Sequence, residues 1–191
     1  MSGKIYLVGN PNCGKSTIFN QLTGLHQKVS NLAGTTVETK IGQLLLDNNK
    51  YSLYDIPGTY SIFPKSEEEE IANQEIIKNV AAIDLLIYVA DAKQLYRNML
   101  YFSQLARLDV PIVLLVNMWD TVEHNTLSYS PELLQEQLKI PVITYSAKNE
   151  DRTSLINQLA AIVKAKKTSS FFNEESENTI DIHQAENTAK A

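Results

Sequence analysis

Two glycines, a lysine and a serine set the first chemical possibility. Gly9-Asn10-Pro11-Asn12-Cys13-Gly14-Lys15-Ser16 has the spacing G-x-x-x-x-G-K-[ST], in which the glycines let backbone N–H groups close around phosphate oxygens. Lys15 is placed to neutralise β and γ oxygens and Ser16 to offer its hydroxyl to Mg²⁺, with Thr17 beside it. Asp55-Ile56-Pro57-Gly58 follows; on its own it is an ordinary strand-to-turn sequence. After a phosphate loop, Asp55 becomes a candidate metal holder through water, and Gly58 a backbone N–H donor for a γ-phosphate. Asn117-Met118-Trp119-Asp120 decides the base. The Asp120 carboxylate offers two acceptors to the adjacent N1–H and N2–H₂ donors of guanine. Adenine lacks that pair and would leave the carboxylate unmatched. Ser146-Ala147-Lys148 is placed to meet the other side of the base.

These residues need elements to hold them. Ile5-Tyr6-Leu7-Val8 reads as a short buried strand before the phosphate loop, and apolar spacing from Ser16 to Leu22 reads as a helix that ends at Gly24. A polar loop over 25–35 leads to strands near 36–46 and 51–55, which flank Asp47-Asn48-Asn49-Lys50 as an antiparallel hairpin. Helices are expected near 67–81, 94–107, 131–138 and 153–166. They alternate with strands at Leu85–Val89, Pro111–Val116 and Val142–Tyr145. The pattern predicts an α/β fold: a mostly parallel six-stranded sheet with one antiparallel edge strand and helices on both faces. Ligands of such sheets sit at the carboxyl ends of the strands. Ser66 and Glu69 form a capping box, which accounts for the Glu67–Glu70 run as a solvated helix start.

Composition narrows the function. The 191 residues, 43% of them apolar, suffice for one domain, assigned to 1–167, with an acidic polar tail over 168–191 that reads as disordered or as the start of a further element. That tail holds five acids (Glu174, Glu175, Glu177, Asp181, Glu186) against one base, Lys190, and the chain carries a net charge of -5. No basic stripe invites nucleic acid. No run approaches the roughly 18 apolar residues of a membrane span, so the chain by itself reads as soluble and cytoplasmic. A single cysteine, Cys13, excludes an internal disulfide, and the three histidines lack metal-ligand spacing. Cys13 reads as a small filler rather than a redox centre, and Phe171-Phe172 in the tail as residual hydrophobicity rather than a docking point.

Taken together, the motifs resemble the cytosolic G domain of the bacterial ferrous iron transport protein FeoB, in the TrmE-Era-EngA-like branch of P-loop GTPases. The resemblance rests on Gly9–Ser16, Asn31-Leu32-Ala33-Gly34-Thr35-Thr36-Val37-Glu38, Asp55–Ser61, Glu69–Ala72, Val89–Ala92 with Arg97-Asn98, and Asn117–Asp120, and it spans about residues 4–165. It implies that Thr36, with Thr35 the neighbouring alternative, closes on Mg²⁺ and γ-phosphate when GTP is bound. Residues 28–38 and 57–68 would then be the two switches. It also implies hydrolysis of GTP to GDP and phosphate with Lys15, Thr36, Gly58 and Asn12 as the catalytic set, and Ser16, Thr36 and Asp55 around Mg²⁺. Asn12 holds the position that helps coordinate K⁺ in related potassium-stimulated GTPases. Such a cation could act where an arginine finger would, since Thr59 stands where other GTPases carry a water-orienting glutamine.

The expected partners are a helical regulatory domain and a membrane pore in the parent protein, at the cytoplasmic face of the bacterial inner membrane, and a K⁺- or GTP-dependent dimer. Met118 replaces the lysine of most GTPases, which predicts weaker affinity and fast GDP release. Two alternatives stand beside this reading: a stand-alone Era/TrmE-like regulatory GTPase, and a GTP-sensing module with negligible turnover.

Overall fold

Ile5, Tyr6, Leu7 and Val8 are almost completely shielded from solvent, because β1 (Gly3–Gly9) runs through the centre of a sheet with helices on both faces. Successive side chains of a strand point to opposite faces, so Tyr6 and Val8 enter one core and Ile5 and Leu7 the other. A continuous apolar run is the signature of such a two-sided strand. The computed structural model describes residues 3–24, 27–32, 35–122 and 129–168.

The sheet has the order β2-β3-β4-β1-β5-β6-β7. β4 (Asn49–Asp55), β1, β5 (Leu85–Asp91), β6 (Ile112–Asn117) and β7 (Val142–Thr144) are parallel neighbours. β3 (Glu38–Leu46) pairs antiparallel with β4, and β2 (Gln27–Asn31) antiparallel with β3. One core packs beneath α1 (Lys15–Thr23) and α5 (Arg152–Thr168), through Ile18, Phe19, Leu155 and Leu159. The other lies beneath α2 (Glu67–Asn79), α3 (Leu95–Leu105) and α4 (Pro131–Leu138), through Ile76, Met99, Phe102 and Leu134.

The sheet therefore has seven strands, not six, and its antiparallel edge is two strands wide. The additional strand, β2, lies in the segment expected to be a polar loop. Its sequence Gln-Lys-Val-Ser-Asn has one apolar residue, and all five positions are exposed. Alternating burial cannot mark a strand that buries neither face; β2 is held by its ladder to β3. The hairpin turn is also tighter than the expected tetrapeptide. Asp47 (φ 46°) and Asn48 (φ 62°) alone make the turn, a left-handed pair of the kind that matches strand twist, and Asn49 and Lys50 join β4.

At α2, Glu69 N–H donates to Ser66 Oγ at 3.2 Å, as the capping box requires. Glu69 Oε2 accepts instead from Lys65 N–H, at 2.7 Å, one residue before the cap. No helix among the described residues is long and apolar enough to cross a membrane. The expected tail lies outside the described residues from 169 onward.

Parallel pairing brings the carboxyl ends of β1, β4, β5 and β6 to one edge, with Leu7 beside Asp55, Gly9 beside Val89 and Asp91 beside Asn117. Every loop expected to touch a ligand leaves from this edge or from the adjoining end of β7.

Candidate nucleotide site

Gly9 ends β1, and the loop over residues 10–14 turns back into α1, whose first turn begins as Thr17 and Ile18 N–H groups donate to Gly14 O, both at 3.1 Å. Gly14 has φ 84°, and a Cβ there would lie 2.2 Å from Asn117 Nδ2. Both the conformation and the close approach therefore demand glycine. Asn12 also adopts a left-handed conformation, φ 66°, and is exposed. Asn10 is buried beneath the loop, where Tyr88 OH lies 3.0 Å from its Oδ1 and 2.6 Å from Asn98 O. Its Nδ2 is a buried side-chain atom with no partner among the described residues. Pro11 follows, packed against Gly58.

Cys13 lies under the loop with 1% exposure. Burial pushes its thiol up to about 11, outweighing the opposing pull of Lys15. A thiol so placed stays neutral near pH 7, which fits a packing role and not thiolate chemistry.

Lys15 Nζ stands 2.5 Å from Asp55 Oδ1, with only 11% and 7% of the two side chains exposed. Ser16 and Thr17 follow Lys15 in the first turn of α1. Pairing of β4 with β1 continues one residue past the strand, as Ile56 N–H donates to Leu7 O at 3.1 Å. This carries Gly58 over the phosphate loop, so close that a Cβ would lie 3.0 Å from Pro11 N and 3.1 Å from Pro11 Cα. Thr59 N–H then donates to Gly9 O at 3.3 Å. The Thr59 side chain, 1% exposed, turns inward: its hydroxyl donates to Ser61 O at 2.9 Å and accepts from Ser61 N–H at 3.2 Å.

The two candidate threonines of the first switch differ. Thr35 closes a turn, its hydroxyl donating to Leu32 O at 3.0 Å and accepting from Val37 N–H at 3.2 Å. Thr36 is exposed, and its hydroxyl is not part of that turn. Ser16, Thr36 and Asp55 carry hydroxyl and carboxylate oxygens, hard donors of the kind that suits Mg²⁺. No cluster of three His, Cys, Asp or Glu side chains among the described residues forms an alternative metal cage.

At the base end, Asn117 is 2% exposed and links two loops. Its Nδ2 donates to Cys13 O at 3.0 Å and its Oδ1 accepts from Ala147 N–H at 3.2 Å. Met118 has φ 61°, and its terminal methyl would lie 3.4 Å from a Cβ on Gly14, so it covers the phosphate loop. Asp120 is exposed, and its N–H donates to the buried Ser146 Oγ at 2.9 Å. Lys148 is exposed at the rim.

Three contributors carry no motif. Asn149 Nδ2 donates to Asp120 Oδ2 at 2.7 Å, orienting the carboxylate. Gln104 Oε1 accepts from Ile62 N–H at 2.9 Å and from Ser61 Oγ at 3.1 Å. Asn73 Nδ2 donates to Ser61 O at 2.9 Å. Asn73 is buried on the apolar face of α2, and a polar side chain on such a face needs a partner, the one sequence signal that could have singled it out. Asn149 and Gln104 sit at positions that no pattern marks.

A phosphate loop after the first strand of a mixed sheet, with the carboxyl-edge loops gathered around it, defines the P-loop GTPase fold. Residues 3–160 match the family described as Ferrous iron transport protein B, and the chain belongs to that family. It is 37% identical over 155 residues to the Fe(2+) transporter FeoB of Leptospira biflexa, covering 81% of this chain and 22% of that protein. The chain thus spans about a fifth of the length of the curated relatives it matches. Its fold is similar to the cytosolic domain of L. pneumophila FeoB (40% identical, TM-score 0.75, covering 83% of this chain and 68% of that one). It is also similar to a GDP-bound mutant of the S. thermophilus FeoB G-domain (34% identical, TM-score 0.72, covering 83% of this chain and 60% of that one).

Proposed function

We propose that this chain binds GTP and hydrolyses it to GDP and phosphate, as the nucleotide-driven part of a ferrous iron transporter. The observation that supports the reading is the pair of bonds made by Asn117, which ties Cys13 of the phosphate loop to Ala147 of the loop proposed to frame the base. Lys15, released from Asp55, neutralises β and γ oxygens, and the N–H groups around Gly14 and at the start of α1 hold the phosphates. Gly58 offers its N–H to the γ-phosphate. Asp120 receives N1–H and N2–H₂ of guanine, with Ser146, Ala147 and Lys148 framing the base.

Ser16, Asp55 and Thr36 would hold Mg²⁺, which would neutralise phosphate charge when bound. Asn12 would contribute an oxygen to K⁺. With Thr59 turned inward, the water must be oriented by other groups, the Thr36 and Gly58 backbones being nearest in role. In the parent protein the partners are a helical regulatory domain and a membrane pore at the cytoplasmic face of the inner membrane, with dimerisation in the GTP- or K⁺-bound state. Multiple-turnover phosphate release from GTP, with Mg²⁺ and K⁺ present, tests hydrolysis.

A second reading, a GTP sensor with negligible turnover, is favoured by one observation: both bonding functions of the Thr59 hydroxyl are engaged by Ser61. Tight GTP binding with release of no more than one phosphate per protein would support it over the first.

A further inference from the structure

We propose that Gln21 is a positioning residue for the base end of this site, tying the loop that frames the base to the helix that carries the phosphates. The proposal rests on the guanine-nucleotide reading above. Gln21 lies on the second turn of α1, the helix whose first turn contributes Lys15 and Ser16. Its side chain reaches a segment more than a hundred residues away: Nε2 donates to the carbonyl of Ala147, and Oε1 accepts from Tyr145 OH at 2.9 Å.

Ala147 is thereby held through both of its backbone polar groups. Its N–H donates to Asn117 Oδ1 at 3.2 Å and its carbonyl accepts from Gln21. Asn117 is itself bonded to Cys13 O, so Ala147 is tied to α1 directly through Gln21 and to the phosphate loop indirectly through Asn117. Tyr145 is fully buried, and its hydroxyl also lies 3.2 Å from Glu150 O, at the far end of the same loop. The loop's own bonds are few: Asn149 and Glu150 N–H groups both donate to Ser146 O at 2.9 Å. A short turn outside any ladder takes its position from such external contacts.

Side-chain chemistry explains why this residue is glutamine. One amide supplies a donor for Ala147 O and an acceptor for Tyr145 OH in a fixed plane. Glutamate could accept from Tyr145 but could not donate to Ala147, and an apolar side chain could do neither. A helix face that needed only packing would be served by leucine. By holding the loop before a base arrives, the contact lowers the ordering cost of binding. Disturbing it should affect the base and not the phosphates.

The test compares wild type, Gln21→Ala, Gln21→Glu and Tyr145→Phe in the full chain. Three quantities are measured: affinity for GDP, affinity for tripolyphosphate, which has no base, and amide hydrogen exchange over 146–150 without nucleotide. Gln21→Ala and Gln21→Glu are expected to weaken GDP binding roughly tenfold, the scale of one lost hydrogen bond. Tripolyphosphate binding should be unchanged and exchange over 146–150 faster, with a smaller effect in Tyr145→Phe. Unchanged GDP affinity and exchange in Gln21→Ala would overturn the proposal, as would equal losses for GDP and tripolyphosphate. If the wild type binds no GDP, the functional reading falls while the exchange comparison still decides whether Gln21 holds the loop.

Discussion

Lys15 and Asp55, forty residues apart in the chain, meet at 2.5 Å at the ends of α1 and β4, with 11% and 7% of their side chains exposed. The pair joins the residue proposed for phosphate to the one proposed for Mg²⁺. Removing one partner of a mostly buried pair leaves the other uncompensated. Lys15→Ala and Asp55→Ala are each expected to lower the stability of the nucleotide-free chain by about 3 kcal/mol. The double variant should lose less than the two single losses combined. Urea unfolding of the four proteins measures this, and strict additivity would show that the pair contributes nothing.

Cys13 gives the fold a pH signature. Its folded thiol is raised to about 11 from an ordinary 9.0 by burial, so the folded chain holds this proton more tightly than the unfolded chain. The associated stability is fully present below pH 9 and is lost as pH rises toward 11. Buried tyrosines act in the same direction but begin only above their ordinary 10.0. Between about pH 9 and 10 the fall in stability should therefore belong mainly to Cys13, and Cys13→Ala should flatten it. A thiol reagent should label the native chain slowly near pH 7.

Much of this site was legible in the sequence, for a physical reason. Backbone-cradled phosphates demand glycine at set spacings, and Gly14 shows why: φ 84° and a Cβ position 2.2 Å from Asn117 leave no alternative. Two-sided burial made β1, β5 and β6 equally plain. β2 escaped because its five exposed residues carry no burial pattern. Asn149 and Gln104 escaped because single hydrogen bonds between distant loops leave no periodic trace. That Thr35 closes a turn to Leu32 and Val37 was equally invisible in the sequence, since its neighbour Thr36 is of the same type.

Met118 covers the phosphate loop in a left-handed conformation, φ 61°, without bringing a charge. Methionine and lysine meet the same backbone strain there, so Met118→Lys should fold normally. It is expected to slow GDP release several-fold, on the scale of an added ammonium contact of about 1 kcal/mol. Displacement of a fluorescent GDP analogue checks it; an unchanged rate would remove Met118 from the account of release.

Asn12 combines an exposed amide with φ 66°, so turn shape and cation binding must be separated. Asn12→Gly keeps the backbone conformation and removes the side-chain oxygen. Phosphate release in wild type is expected to be faster in K⁺ than in Na⁺, and Asn12→Gly should abolish the difference. A K⁺ response retained in Asn12→Gly would show that the side chain does not hold the cation.

On the function proposed here, Asp120 makes this a guanine site. Calorimetric titration of the chain with GDP and with ADP, in wild type and in Asp120→Ala, tests it most directly. Wild type is expected to prefer GDP by at least about a hundredfold, the scale on which a site with polar groups matched to its ligand rejects one lacking the partners. Asp120→Ala should lose most of that preference. Comparable affinities for GDP and ADP in wild type, or a preference that survives Asp120→Ala, would contradict it.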